Sequence, residues 1–167
     1  MRTTLGQSVE QRSTVIGLRA TARRAAGLEA EAALLESELA QLVRSVAPAL
    51  LDEPGVGVIT AAQLVTAWSH RGRFRSDAAF ASLAGAAPIP ASSGRIVRYR
   101  LNRGGDRQLN RALHTIALSR LSHHPETKRY AARRTAEGKT PREIKRCLKR
   151  HLARRLHRIL ENGPVMT

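Results

Sequence analysis

At 167 residues and 18.3 kDa, the chain has room for one modest domain and an extension. Its 29 Lys and Arg against 13 Asp and Glu give a formal charge of +16 and a pI near 11.7, which calls for a polyanion partner, nucleic acid first and an anionic membrane surface or RNA-rich assembly after it. No apolar run is long enough to span a bilayer, the polar, Arg-dotted N-terminus has no signal-peptide pattern, and a single cysteine, Cys147, excludes an internal disulfide framework and fits a reducing cytoplasm.

Residues 1–53 read as one long helix. Leu18, Thr21, Ala25, Leu28, Ala32, Leu35, Leu39, Leu42 and Val46 step alternately by three and four, a heptad seam with Glu29, Glu31, Glu36 and Glu38 off it. Pro48 closes the pattern. Such a seam pairs with a second copy, with another domain, or with its own domain; the coiled coil is the preferred reading. Charge marks the boundary that follows: residues 1–53 hold 6 Arg and 7 acids, net −1, so residues 54–167 hold 23 basic and 6 acidic side chains, net +17.

From Pro54 the chain reads Pro-Gly-Val-Gly-Val-Ile-Thr-Ala. Gly55 and Gly57, ahead of a helix expected from Ile59, suggest a helix-hairpin-helix turn whose backbone N–H groups cradle a phosphate, or a tight turn that uses glycine for positive φ. Trp68, Phe74 and Phe80 read as core anchors around a basic loop, and Ser76 as the cap of a short helix through Leu83, stopped by Gly85. Pro88 and Pro90 open an extended segment, with Ile96, Val97, Tyr99 and Leu101 as a strand or hairpin arm. Asp106 caps a helix from Arg107 to about Ser122, Pro125 begins another that ends near Gly138, and Thr140-Pro141-Arg142-Glu143 begins a last one reaching about Glu161. The fold class is mainly all-α, with an extended basic loop. Residues 54–161 form the working domain and 162–167 a tail.

The densest signal lies between Ala91 and Arg111. Arg95, Arg98, Arg100, Arg103, Arg107 and Arg111 face one acid, Asp106, just after Ser92-Ser93-Gly94. Guanidinium groups grip phosphate oxygens in pairs, and a serine beside them is placed to attack a phosphodiester. The alternative is a solvated basic loop whose serines only make turns. With 3% aromatic residues, backbone contact with duplex DNA is favoured over base stacking. His123 and His124 are adjacent and diverge; His114, His151 and His157 read as surface or phosphate-facing groups. No carboxylate pair has the spacing of a two-metal site, so no metal ligand is assigned.

Three pieces in order carry a family resemblance: Pro54–Ala61; Phe80-Ala-Ser-Leu-Ala-Gly-Ala-Ala-Pro88; and Ser92-Ser93-Gly94-Arg95 with Leu101-Asn-Arg-Gly-Gly-Asp-Arg-Gln-Leu-Asn-Arg-Ala-Leu113. Over roughly residues 50–160 the chain resembles the C-terminal transposase domain of the bridge-RNA-guided insertion-sequence transposases, a family that includes the Piv-type invertases. The resemblance implies an N-terminal RuvC-like domain with DEDD metal-binding acids, then a coiled coil, then this domain. The first of these is not found here, so a truncated, split or decayed copy is expected. It further implies a serine nucleophile that joins DNA covalently, Ser93 with Ser92 as second choice. Magnesium is then expected only in the DEDD domain, with duplex DNA and a guide RNA as partners. A non-catalytic helix-hairpin-helix module that only holds nucleic acid is the competing reading.

Overall fold

The computed structural model describes residues 8–90, 99–102 and 104–163. In chain order they form α1 (Val9–Val46), a 3₁₀ turn (Pro48–Leu50), α2 (Val58–Trp68), α3 (Asp77–Leu83), β1 (Pro88–Pro90), β2 (Tyr99–Leu101), α4 (Arg107–His123), α5 (Pro125–Ala136) and α6 (Pro141–Asn162). The fold is mainly all-α, and the strands form one antiparallel pair with Pro88 opposite Leu101, Ile89 opposite Arg100 and Pro90 opposite Tyr99. None of the described helices is long and apolar enough to cross a membrane.

Local chemistry places the helix ends. Ser76 Oγ accepts from the Ala79 N–H at 3.2 Å, and Asp106 Oδ1 accepts from the Leu109 N–H at 2.9 Å. Thr140 and Glu143 close a reciprocal capping box, with Pro141 in the first turn of α6. At α5 the cap is His124, whose Nδ1 accepts from the Thr127 N–H at 3.3 Å, a role the adjacent-histidine reading did not anticipate.

Two compact units divide the chain, Met1–Glu38 and Leu39–Thr167. The first is the exposed length of α1, where Leu18, Leu28 and Leu35 are each more than half exposed. The second begins inside the same helix rather than at Pro54, because Ala40, Val43, Ala47 and Leu50 are buried in its core. The heptad register changes there. Leu42 and Val46 continue the seam and stay exposed, while Leu39, half-buried, falls in with the core-facing residues.

The core of the second unit joins Leu64 of α2, Phe80 of α3, Leu109, Leu113 and Ile116 of α4, and Leu156 of α6. Helix α6 packs against α2, α3, α4, α5 and the 3₁₀ turn, its buried face built from Ile144, Leu148, Leu152, Leu156 and Leu160. His157 shares that face and corrects the surface reading. It is 4% exposed, with its ring centroid 5.1 Å from that of Phe80 and 5.9 Å from that of Phe74. Burial lowers its pKa below 6.5 and outweighs the pull of Glu161 and Asp77, so the ring is neutral in the core.

Candidate nucleic-acid interface

Arginine-rich sequence alone does not position anything; the glycines and asparagines between the arginines do. Three carbonyls at the end of helix α3 receive donors from the stretch Asn102–Asn110, Ser82 O in addition to the Gly85 N–H at 3.0 Å. Asn102 Nδ2 donates to Ser82 O at 3.0 Å, the Asp106 N–H to Leu83 O at 2.7 Å, and Asn110 Nδ2 to Ala84 O at 2.6 Å. Lys149 Nζ of α6 then donates to Asn110 Oδ1 at 2.7 Å, which fixes which way that amide points.

This clamp depends on two glycines meeting back to back. Gly85 turns the chain off α3 at φ +64°, a left-handed conformation. A Cβ on Gly105 would lie 2.5 Å from Leu83 O and 2.6 Å from Gly85 N, so only glycine lets the N-terminus of α4 come this close. The clamp sits at the root of the strand pair, since β1 begins three residues after Gly85 and β2 ends just before Asn102. Residues 91–98 join Pro90 to its paired residue Tyr99.

Ser92, Ser93, Arg95, Arg98 and Arg103 lie outside the described residues. Arg100 stands in β2 opposite Ile89. Arg107 and Arg111 are exposed one turn apart at the start of α4, sharing a face with exposed His114. Burial, then the ammonium groups of Lys149 and Lys145, lower the His114 pKa below 6.5.

The glycine turn stands apart from this cluster. Gly55 has φ +80° and backs onto α4, where a Cβ would meet Arg120 Cγ at 3.0 Å and Ile116 O at 3.1 Å. That is roughly 10–20 Å along the helix from Arg107 and Arg111 at 1.5 Å per residue. Gly57 has φ −100°, and its N–H donates to Thr60 Oγ1 at 3.0 Å. The positive-φ reading therefore holds at Gly55 and not at Gly57, and the Gly57 donor is already engaged. Beside the turn, Glu53 ties it to two helices, accepting from Arg155 at 2.7 and 2.9 Å and from Arg120 at 3.4 Å. The Arg155 hydrogen bond, opposed by burial and helped by both guanidinium charges, keeps the Glu53 carboxyl below its ordinary pKa.

Other carboxylates are equally engaged. Asp77 accepts from Arg154 at 3.1 Å and Arg158 at 3.0 Å. Glu161 accepts from Trp68 Nε1 at 2.6 Å and from the Gly72 N–H at 3.1 Å. The magnesium implied by the DEDD resemblance finds no donor set here, as no three His, Cys, Asp or Glu side chains gather among the described residues.

The sequence model of the Transposase IS116/IS110/IS902 family matches residues 47–132, about half of the chain. An insertion element IS110 protein of 43.6 kDa from Streptomyces coelicolor is 38% identical over 109 residues, 64% of this chain and 27% of that protein. An insertion element IS900 protein of 42 kDa from Mycobacterium paratuberculosis is 32% identical over 148 residues, covering 82% of this chain and 37% of its own length. The chain thus spans between about a quarter and two fifths of these relatives. Residues 47–132 run from the 3₁₀ turn before the glycine turn, through the α3–α4 clamp, into α5, and by this match the chain belongs to the IS116/IS110/IS902 transposase family.

Proposed function

We propose that the second unit is the part of a DNA transposase that grips duplex DNA by its phosphates and presents a serine nucleophile, Ser93 with Ser92 as second choice. The observation that carries this reading is the clamp. The separated motifs Phe80–Pro88 and Asn102–Asn110 meet through three carbonyl hydrogen bonds, at the root of the strands that lead into and out of residues 91–98. A nucleophile needs this kind of support, because a small misplacement costs orders of magnitude in rate. The charge of +17 on residues 54–167 supplies the grip on DNA and guide RNA.

In this reading Ser93 Oγ bonds to phosphorus as the bond from phosphorus to one sugar oxygen breaks; one side of the cut strand stays on the serine as a phosphodiester, and the other leaves with its sugar oxygen protonated to a free hydroxyl. The serine proton must pass to a base, and Asp106, holding the α4 cap, is committed elsewhere. The metal-binding acids belong to a RuvC-like domain outside these residues, and the exposed seam of α1 docks to a second copy or to that domain.

Three measurements test the proposal. Titrating duplex DNA binding against NaCl should give a log–log slope that steepens by about 0.9 per phosphate contact, and a flat line refutes the grip. With a family RuvC-like domain and guide RNA supplied in trans, protein–DNA adducts should vanish in Ser93→Ala. Loss only in Ser92→Ala moves the role one residue upstream, and adducts surviving both substitutions end the serine mechanism. For the seam, Leu28→Glu with Leu35→Glu should lower the sedimenting mass, since both side chains are exposed; Leu39 is half-buried and less informative.

A further inference from the structure

Between the α3–β1 turn and helices α5 and α6 lies a cleft of about 360 Å³. Gly85, Ala86, Ala87 and Pro88 form one wall. Arg134, Lys139, Arg146, Lys149 and Arg150 line the other, with Glu143 as the one carboxylate. None of these cations belongs to the Arg95–Arg111 cluster, and the cleft opens beside the first residue of β1.

We propose that this cleft is a built phosphate site, seating a backbone phosphodiester of the nucleic-acid strand that passes the β1–β2 arm, with Lys149 at its floor and Arg146 and Arg150 at its rim. The proposal rests on the nucleic-acid reading above and adds where a strand is held.

Three features make it a site rather than a charged surface. Lys149 is half-buried and oriented, because its Nζ donates to Asn110 Oδ1, and an ammonium has two further N–H donors to offer. Burial lowers the Lys149 pKa below the ordinary lysine value, so the charge stands where water screens it poorly and an anion gains most. Finally, the negative partners nearby are already satisfied. Arg134 is held by Glu137, and Glu143 is turned back onto the Thr140 N–H and hydroxyl in the α6 capping box. With Arg134 matched by Glu137, four further cations against the one engaged carboxylate, Glu143, leave the cleft positive.

The geometry also couples the site to the clamp. Lys149 orients Asn110, which holds Ala84 O at the start of the turn leading to β1. A phosphate drawn onto Lys149 would therefore bear on the group that fixes the arm's root.

The test uses the whole chain and a short DNA duplex. Binding is followed by anisotropy across NaCl concentrations for wild type, Arg146→Gln/Arg150→Gln, Lys149→Met, and Lys128→Gln/Arg129→Gln as a charge-matched control on α5. The rim pair should flatten the log–log slope by about 1–2 and weaken binding at least tenfold, well beyond the control. Lys149→Met should weaken binding similarly; if its melting temperature falls, the exposed rim pair carries the decision. Cys147 lines the same cleft, so duplex DNA should slow its reaction with an aromatic disulfide several-fold, while millimolar inorganic phosphate alone should not. Equal protection by inorganic phosphate would reassign the cleft to a free anion and overturn the strand-holding role. Wild type that binds DNA with cleft variants matching the control and Cys147 unprotected overturns this inference alone. Wild type that binds no DNA overturns the parent reading.

Discussion

Replacing Gly105 by alanine isolates the clamp from every charge around it. The new Cβ would fall 2.5 Å from Leu83 O, 2.6 Å from Gly85 N and 2.8 Å from Gly85 Cα. All three are backbone atoms, so no side chain can swing aside; either α3 lifts off the start of α4 or the left-handed turn at Gly85 changes. Lifting α3 loosens the hydrogen bonds to Ser82 O, Leu83 O and Ala84 O at 3.0, 2.7 and 2.6 Å. At about 1 kcal/mol net each, their loss costs ~3 kcal/mol, the upper end of what overpacking a well-packed site costs. Unfolding entropy of roughly 2.1 cal/mol/K per residue over the 129 residues 39–167 then converts ~3 kcal/mol into a melting temperature lower by about 11 °C. Trp68 is the only tryptophan and packs in the second unit, so its fluorescence reports that unit's melting without interference from the exposed part of α1. Gly104→Ala is the matched control, because its Cβ would meet only Asn102 Oδ1 at an ordinary 3.6 Å. A Gly105→Ala protein melting within about 2 °C of wild type, or a Gly104→Ala protein falling as far, refutes the close-approach reasoning.

Three further outcomes are expected. Gly55→Ala, at φ +80° and against Ile116 O and Arg120 Cγ, should cost about 2 kcal/mol in urea unfolding, whereas Gly57→Ala, with open space at its Cβ, should cost well under 1 kcal/mol. Ser69 sits at φ 67°, ψ −63° in a γ-turn closed by the His70 N–H on Trp68 O, so Ser69→Gly should raise stability by about 1 kcal/mol, and a loss on denaturant titration contradicts the strain. His157 has a folded pKa below 6.5, so the unfolded chain takes up its proton first and stability should fall as pH drops below 6.5; His157→Leu should reduce that onset, leaving the smaller share of the exposed His114 and the later acid loss. That later loss follows from Glu53 and Glu161, whose folded pKa values lie below 4.5 and whose stabilisation is complete above that pH and disappears as pH falls through the folded values.

Much of this architecture was legible because it rests on local rules. The caps at Ser76, Asp106 and Thr140, the stop at Gly85 and the apolar stripes of α4 and α6 are each encoded within one or two helical turns. What escaped was long-range. Nothing local distinguishes the buried His157 from the exposed His151 of the same helix; only the arrival of Phe74 and Phe80 does. Gly105 reads as a loop glycine until Leu83 and Gly85 come against it. Asn102 and Asn110 were hidden by the arginines around them, although their partners lie 20 and 26 residues away. The heptad seam did not reveal the second stripe beside it, Ala40, Val43 and Ala47, by which the same helix enters the core of the second unit. Near the proposed site, sequence named the serines and arginines, while the clamp beneath the strands Pro88–Pro90 and Tyr99–Leu101 is seen only in the structure.

The acids bear on how the proposed chemistry is divided. Residues 54–167 contain six, Asp77, Asp106, Glu126, Glu137, Glu143 and Glu161. Asp77 joins α3 to α6 through Arg154 and Arg158, while Asp106 and Glu143 cap helices. Glu137 takes Arg134 at the end of α5, and Glu161 secures Trp68 and the Gly72 N–H. Only Glu126, in a loose 3.9 Å pair with Arg129 at 76–77% exposure, is without a structural duty of consequence. Five of these six carboxylates thus serve the architecture of the second unit, and Glu126 alone stands free of it. Few are left to neutralise the arginines and lysines facing solvent. The same fact therefore explains both the proposed dependence on acids from another domain and the proposed grip on a polyanion. A single carboxylate introduced at the cleft, Arg150→Glu, should accordingly weaken DNA binding more than Arg150→Gln by placing a repulsive charge beside Lys149, with little change in melting temperature because Arg150 is exposed. Equal binding by the two variants would mean that no phosphate comes near that rim.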